Sequence, residues 1–141
     1  MTRLRLRLRE TDPAGVEEEL RRRLFAFNTA RTGVDDGRLL VVDVTDEAGA
    51  LVGGAFGWSW GGTAFVDLLY VDEDRRGAGV GRRLMGALEA EARARGCHQV
   101  VLATHDFQAP GFYARLGFVE VGRFVDYPAG GYQVQLAKQL T

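Results

Sequence analysis

Between Ala64 and Thr104 the chain changes its apolar period twice, and this limits its possible folds more than any other feature. Ala64 to Val71 is an apolar run of strand length, and Asp72 to Gly79 is charged and glycine-rich. From Val80 the apolar residues Val80, Leu84, Leu88 and Ala92 recur every four positions until Gly96, as a helix with one buried face requires. Gln99 to Thr104 is apolar again. A strand, a crossover helix and a second strand form a unit whose two strands should lie parallel and adjacent. The glycine-rich turn then opens at the carboxyl end of the first strand, where ligand crevices of such sheets lie.

The flanking segments extend this unit. Arg38 to Thr45 and Leu51 to Trp60 read as strands joined by the turn Asp46-Glu47-Ala48-Gly49, and Gly61-Gly62 leads into the strand at Ala64. Three strands on short turns make an antiparallel meander. Downstream, Ala109 to Leu116 reads as a short helix closed by Gly117, Phe118 to Phe124 as a strand, and Tyr132 to Ala137 as a closing strand after the turn Tyr127 to Gly131. Upstream, Leu4, Leu6 and Leu8 alternate with Arg3, Arg5, Arg7 and Arg9, the pattern of a half-buried first strand with a charged face that discourages edge pairing. Thr11-Asp12-Pro13 predicts a helix from near Ala14, with Val16, Leu20, Leu24 and Phe27 as its buried stripe. A shorter helical continuation through Phe25, Asn28 and Arg31 precedes Gly33. The expected fold is α/β (α+β): a mixed, mostly antiparallel sheet of about seven strands flanked by helices. One domain over residues 1–141 is expected, with no linker or repeat.

Composition closes off several functions. The formal net charge is −1, so no global field favours nucleic acid or anionic lipid. No apolar stretch approaches the roughly 20 residues that span a bilayer. The start, Met1-Thr2-Arg3-Leu4-Arg5, has no apolar signal region. A soluble cytoplasmic protein with no nucleic-acid or membrane partner is expected. Cys97 stands alone, and His98 and His105 have no carboxylate or cysteine spacing suited to a metal. No metal site is expected.

The turn itself, Asp72-Glu73-Asp74-Arg75-Arg76-Gly77-Ala78-Gly79-Val80-Gly81-Arg82, has the chemistry of a phosphate cradle. A helix start leaves four N–H donors free, and its dipole favours an anion. Glycines allow close approach and positive φ, and Arg76, Arg82 and Arg83 add positive charge. A dinucleotide fingerprint would require glycine at Arg82 or Leu84, and a P-loop would require a Gly-Lys-Ser/Thr step. The chain meets neither requirement. A glycine-rich connection kept only for packing is the alternative.

Arg76-Gly77-Ala78-Gly79-Val80-Gly81 resembles the Arg/Gln-x-x-Gly-x-Gly/Ala signature of the GCN5-related N-acetyltransferase (GNAT) superfamily. Phe112-Tyr113-Ala114-Arg115-Leu116-Gly117-Phe118 is similar to that superfamily's second landmark, Phe-Tyr-x-x-x-Gly-Phe. The order of elements over nearly the whole chain agrees, and Phe107-Gln108-Ala109-Pro110 with Asp126-Tyr127-Pro128 resembles a bacterial branch of unassigned substrate.

The resemblance implies an acetyl-CoA-dependent N-acyltransferase, with acetyl-CoA as acyl donor and a primary amine of a small molecule or peptide as acceptor. It also implies a homodimer. In such enzymes the strand here running from Val66 to Val71 splays from the strand Val100 to Thr104, and pantetheine pairs with the backbone at Leu69 and Val71. The Leu69 amide would polarise the acetyl carbonyl. Arg76, Gly77, Ala78, Gly79, Val80, Gly81 and Arg82 would hold the pyrophosphate, with Phe112 beside them. Tyr113 matches the residue that protonates the departing thiolate; its alternative is an ordinary core aromatic. Where members often carry asparagine this chain has Asp106, a cofactor-contact position whose charge would weaken that contact or attract a cationic amine. For a general base the residues themselves offer Asp67, an acid within an apolar strand two residues before Leu69 and so on its face. A buried hydrogen-bond partner is the equal alternative. Phe25, Phe27, Phe56, Trp58 and Trp60 form either an acceptor pocket or core. The functional alternative is a non-catalytic acetyl-CoA-binding sensor or assembly module.

Overall fold

A computed structural model describes residues 3–140. The chain divides into two compact units, Met1–Asp35 and Asp36–Thr141.

The first unit holds helix α1, Val16–Thr32. The Asp12 carboxylate accepts the N–H groups of Val16 at 2.7 Å and Glu17 at 2.9 Å, satisfying two of the donors that a helix start leaves free. Gly33 ends the helix at φ 73°. The helix is one continuous piece, so the expected shorter continuation is part of α1. Two other expectations are corrected here. Arg3 to Arg9 carry no strand, with Leu4, Leu6 and Leu8 at least 94% exposed, and the stripe Val16, Leu20, Leu24 and Phe27 is at least 50% exposed. Alternation sets a strand's two faces, whereas a strand exists only when a partner accepts its hydrogen bonds. One helix and one extended segment cannot supply the second layer that a buried stripe requires.

The second unit is built on six strands: β1 (Arg38–Thr45), β2 (Leu51–Trp60), β3 (Thr63–Val71), β4 (Gln99–His105), β5 (Val119–Val125) and β6 (Tyr132–Gln139). Their spatial order is β1-β2-β3-β4-β6-β5. β3 and β4 are parallel, as the crossover requires, and every other pair is antiparallel. The mixed, mostly antiparallel sheet is therefore present, with six strands among the described residues where about seven were expected. Helix α2 (Val80–Ala94) connects β3 to β4, and α3 (Pro110–Arg115) connects β4 to β5.

The period-four stripe of α2 is buried at Leu84, Leu88 and Ala92, joined by Met85. Met85, Leu88 and Ala92 meet Leu40, Ala55, Ala64, Val66, Val100 and Leu102 of the sheet in one core, each large side chain contributing about 1.5–3 kcal/mol on burial. Glu89 is also buried on α2, and its carboxylate pairs with Lys138 Nζ of β6 at 2.6 Å. That bridge ties the helix to a strand two places from β3. No helix among the described residues is long and apolar enough to cross a membrane.

Candidate active site

The site begins where a ladder stops. β3 and β4 pair only from Thr63–Gln99 to Val66–Leu102, yet β3 runs on to Val71 and β4 to His105. Beyond Val66 and Leu102 the strands no longer pair, and a cleft of about 790 Å³ lies between them. Its walls include Leu69 and Val71 of β3, Thr104 of β4, the turn before α2, and Phe112 and Tyr113 of α3.

A β-bulge marks the parting. In the β2–β3 ladder Phe56 pairs with Leu68 and Gly57 with Val66, so Asp67 is the extra residue. Gly57 is what allows the strands to close on the bulge, because a Cβ there would stand 1.9 Å from the Phe65 carbonyl oxygen. The bulge also reverses alternation: Ala64 and Val66 are buried before it, Val71 after it, while Asp67 and Leu68 are exposed. Asp67 lies within β3 at this bulge, and both it and Leu69 line the cleft. Asp67 is an exposed bulge residue on the cleft wall, and a buried hydrogen-bonding role is excluded by that exposure. The signal for this was Gly57, since an isolated glycine within a strand marks bulges and close approaches.

Past the bulge the backbone orientation is fixed by the ladder. Asp72 donates its N–H to the Val52 carbonyl at 2.9 Å. Inward and outward pairs alternate along an antiparallel ladder, so Tyr70 also faces β2, and the backbone groups of Leu69 and Val71 point toward the cleft. One of these is already used: Arg76 Nε donates to the Val71 carbonyl at 2.8 Å, with the guanidinium 5.5 Å from the Tyr70 ring centre. The signature arginine staples its own turn to the end of β3.

The turn has the open geometry of a cradle. Gly77 and Gly79 stand at φ 81° and 83°, and a Cβ on either would meet no atom within 4 Å. Gly79 caps α2 without any side-chain hydrogen bond, leaving the first N–H donors of α2 for another partner. Gly81 is different, because a Cβ there would meet the Phe112 ring at 3.1 Å. The absent side chain lets α3 pack on the first turn of α2. Gly77, Gly79, Val80, Gly81, Arg76 and Arg82 all line the cleft; Ala78 and Arg83 do not.

Tyr113 is 6% exposed, packed edge-on against Phe112 at 5.1 Å and Phe118 at 5.7 Å, and it belongs to both the core and the cleft wall. Burial pushes its phenol pKa above the ordinary 10.0. Asp106 is elsewhere. Its carboxylate accepts the Tyr132 N–H at 3.4 Å and fills the space a side chain at Gly131 would take. Asp106 is not among the residues that line the cleft, although the adjacent Phe107 and Gln108 are. The aromatic residues Phe56, Trp58 and Trp60 do not line the cleft either, and Trp58 stacks on Phe65 at 4.8 Å across the β2–β3 ladder. Sequence reasoning passed over Gln108, whose Oε1 accepts the His105 N–H at 2.7 Å and shapes the turn after β4. It also passed over Arg75 and Arg115 on the cleft wall. Both flank motif residues, which is the signal that could have found them.

Splayed strands with free backbone groups, a helix start bare of side chains and a buried phenol together define the acyl-CoA N-acyltransferase fold. The chain belongs to the acetyltransferase (GNAT) family, whose model matches residues 2–118. It is 44% identical over 117 residues to blasticidin-S acetyltransferase of Streptomyces morookaense, covering 78% of this chain and 84% of that one. An acetyltransferase of Agrobacterium fabrum is 35% identical over 115 residues, covering 82% and 84%. Among solved structures, an acetyltransferase from Bacillus cereus superposes with a TM-score of 0.80 at 28% identity, over 95% of this chain and 98% of that one. These relatives support N-acetyltransferase activity for the chain.

Proposed function

We propose that the protein moves the acetyl group of acetyl-CoA directly to a primary amine, and that the acceptor is a small molecule. The observation that carries this reading is the parting of β3 from β4 beside a helix start whose glycines meet no atom within 4 Å. Those residues suit the donor: the β3 wall of the cleft turns unspent backbone groups inward, and arginines line it beside the glycine turn. The choice of a small molecule over a peptide rests on the relative named for blasticidin S.

Acetyl-CoA supplies an activated thioester carbonyl. The Leu69 amide polarises that carbonyl and stabilises the negative charge that develops on its oxygen. The donors at Gly77, Gly79 and Gly81 hold the pyrophosphate. The neutral amine nitrogen forms the new C–N bond as the C–S bond breaks. Tyr113 donates its phenolic proton to the departing sulfur, whose thiol pKa near ~8.5 lies below that of an ordinary phenol near ~10, and recovers a proton from solvent. Asp67, exposed on the same wall, takes the proton that the amine nitrogen sheds, directly or through water. With Asp106 held against β6, its charge does not oppose donor binding, which favours turnover over a purely sensing role. As in other members, a homodimer in the cytoplasm is the expected working form.

An amine library, with free thiol release as the readout, tests the proposal. Turnover with at least one small primary amine is expected. Acetyl-CoA binding with no thiol released for any amine would leave a binding module instead.

A further inference from the structure

We propose that Arg82 and Arg115 form a second anion subsite in the cleft. It takes the ribose 3′-phosphate of the donor and makes the protein select CoA over dephospho-CoA. The inference rests on the reading of the cleft as an acetyl-CoA site.

The cleft is lined by four arginines, Arg75, Arg76, Arg82 and Arg115, and by one carboxylate, Asp67. The whole chain carries a net charge of −1, so this is a local excess of positive charge. A pyrophosphate does not require all of it. The turn's own N–H donors serve that group, and Arg76 is committed to the Val71 carbonyl and the Tyr70 face. Arg82 and Arg115 remain exposed, and among the described residues neither belongs to an ion pair, unlike Arg21, Arg22, Arg23, Arg95 and Arg123.

The helices that pack together each place one of these arginines on the wall of the same cleft. The Phe112 ring rests on Gly81, which brings α3 onto the first turn of α2. Arg82 follows Gly81 directly. Arg115 lies three residues beyond Phe112, on the same side of α3, and Gly111 leaves room for its guanidinium 3.6 Å from where a Cβ would stand. Two planar donor forks from different elements match the oxygens of a phosphate monoester, a group that carries about −1.5 to −2 charges near neutral pH. A diester-like pyrophosphate on backbone amides and a dianionic monoester on paired guanidinium groups divide the ligand's charge between two kinds of donor.

Calorimetric titration with CoA and dephospho-CoA tests this on the wild type, Arg82→Gln, Arg115→Gln and the double variant. Wild type should bind CoA about tenfold more tightly than dephospho-CoA, the preference shrinking as salt is raised. Each single variant should lose part of that preference. The double variant should lose nearly all of it, CoA affinity falling about tenfold further than dephospho-CoA affinity. Both positions are exposed, so unchanged melting temperatures should confirm intact folds. Equal wild-type affinity for the two ligands overturns the subsite and leaves the acetyl-CoA reading standing. Parallel weakening of both ligands also overturns it, by placing the two arginines on the pyrophosphate. Failure of the wild type to bind either ligand overturns both readings.

Discussion

The two halves of β3 carry similar apolar sequence and do different work. From Thr63 to Val66 the strand is paired on both sides, with Ala64 and Val66 buried against α2. From Asp67 to Val71 it keeps β2 and loses β4, and Asp67, Leu68 and Tyr70 are exposed. The first half spends its backbone hydrogen bonds on the sheet. The second holds some in reserve, which only a ligand chain or water can satisfy. Apolar composition therefore does not separate core from site in this strand. The accounting of backbone donors does, and the bulge at Asp67 opposite Gly57 is the seam between them.

The largest expected effect lies on the splayed side. Gly79→Asp places a carboxylate where an anion should rest, at a φ of 83° that non-glycine residues rarely adopt. Acetyl-CoA affinity should fall by about 10³-fold or more, some 4 kcal/mol, while the exposed position leaves the protein folded. Unchanged affinity in calorimetry would remove the pyrophosphate from this turn. Next is Tyr113→Phe, which keeps the ring packing against Phe112 and Phe118 and deletes one hydroxyl. If chemistry limits the rate, kcat should drop by ~10²–10⁴-fold with donor affinity nearly constant. A kcat within about threefold of wild type would reduce Tyr113 to a core aromatic.

The seam should respond in the opposite manner. Gly57→Ala forces a methyl against the Phe65 carbonyl, a backbone atom that cannot swing aside. We expect a loss of about 3 kcal/mol in stability, read as a lowered denaturation midpoint. A melting curve like that of wild type would mean that the bulge tolerates a side chain and does not define the parting. The smallest effect is in pH. Burial raises the Tyr113 pKa, so the phenol keeps its proton in the folded protein at a pH where an unfolded tyrosine has lost it. Stability from this group is complete below pH 10 and declines as pH rises through the folded value. The alkaline limb of kcat that depends on Tyr113 should accordingly lie above pH 10, and a limb attributable to Tyr113 below that value would contradict the burial.

Much of the second unit was legible because pattern and punctuation agree there. β1 and β2 begin and end where alternation meets the Asp46–Gly49 turn, and α2 starts at Val80 where the period changes. The cleft's glycines and Tyr113 were equally legible, since two motifs bracket them. What escaped depends on partners. Leu4, Leu6 and Leu8 have a strand's alternation, but nothing in a single segment states which edge accepts its hydrogen bonds. The bulge at Asp67 escaped because its signal, Gly57, stands on the neighbouring strand. The spacing of Asp106 from Phe112 gave no sign of its bond to the Tyr132 amide, which comes from a strand 26 residues further on.

The Glu89–Lys138 bridge has a consequence beyond holding α2 to β6. Lys138 is the sole lysine in the sequence. Its ammonium sits 2.6 Å from a buried carboxylate and is committed to that ion pair. A thioester bound in the cleft, as proposed above, would thus meet no free lysine amine. The protein's exposed cations are guanidinium groups, which stay protonated and inert to acylation at any physiological pH. Acylation at lysine would therefore require this bridge to open, and mass spectrometry after prolonged incubation with acetyl-CoA should find Lys138 unmodified.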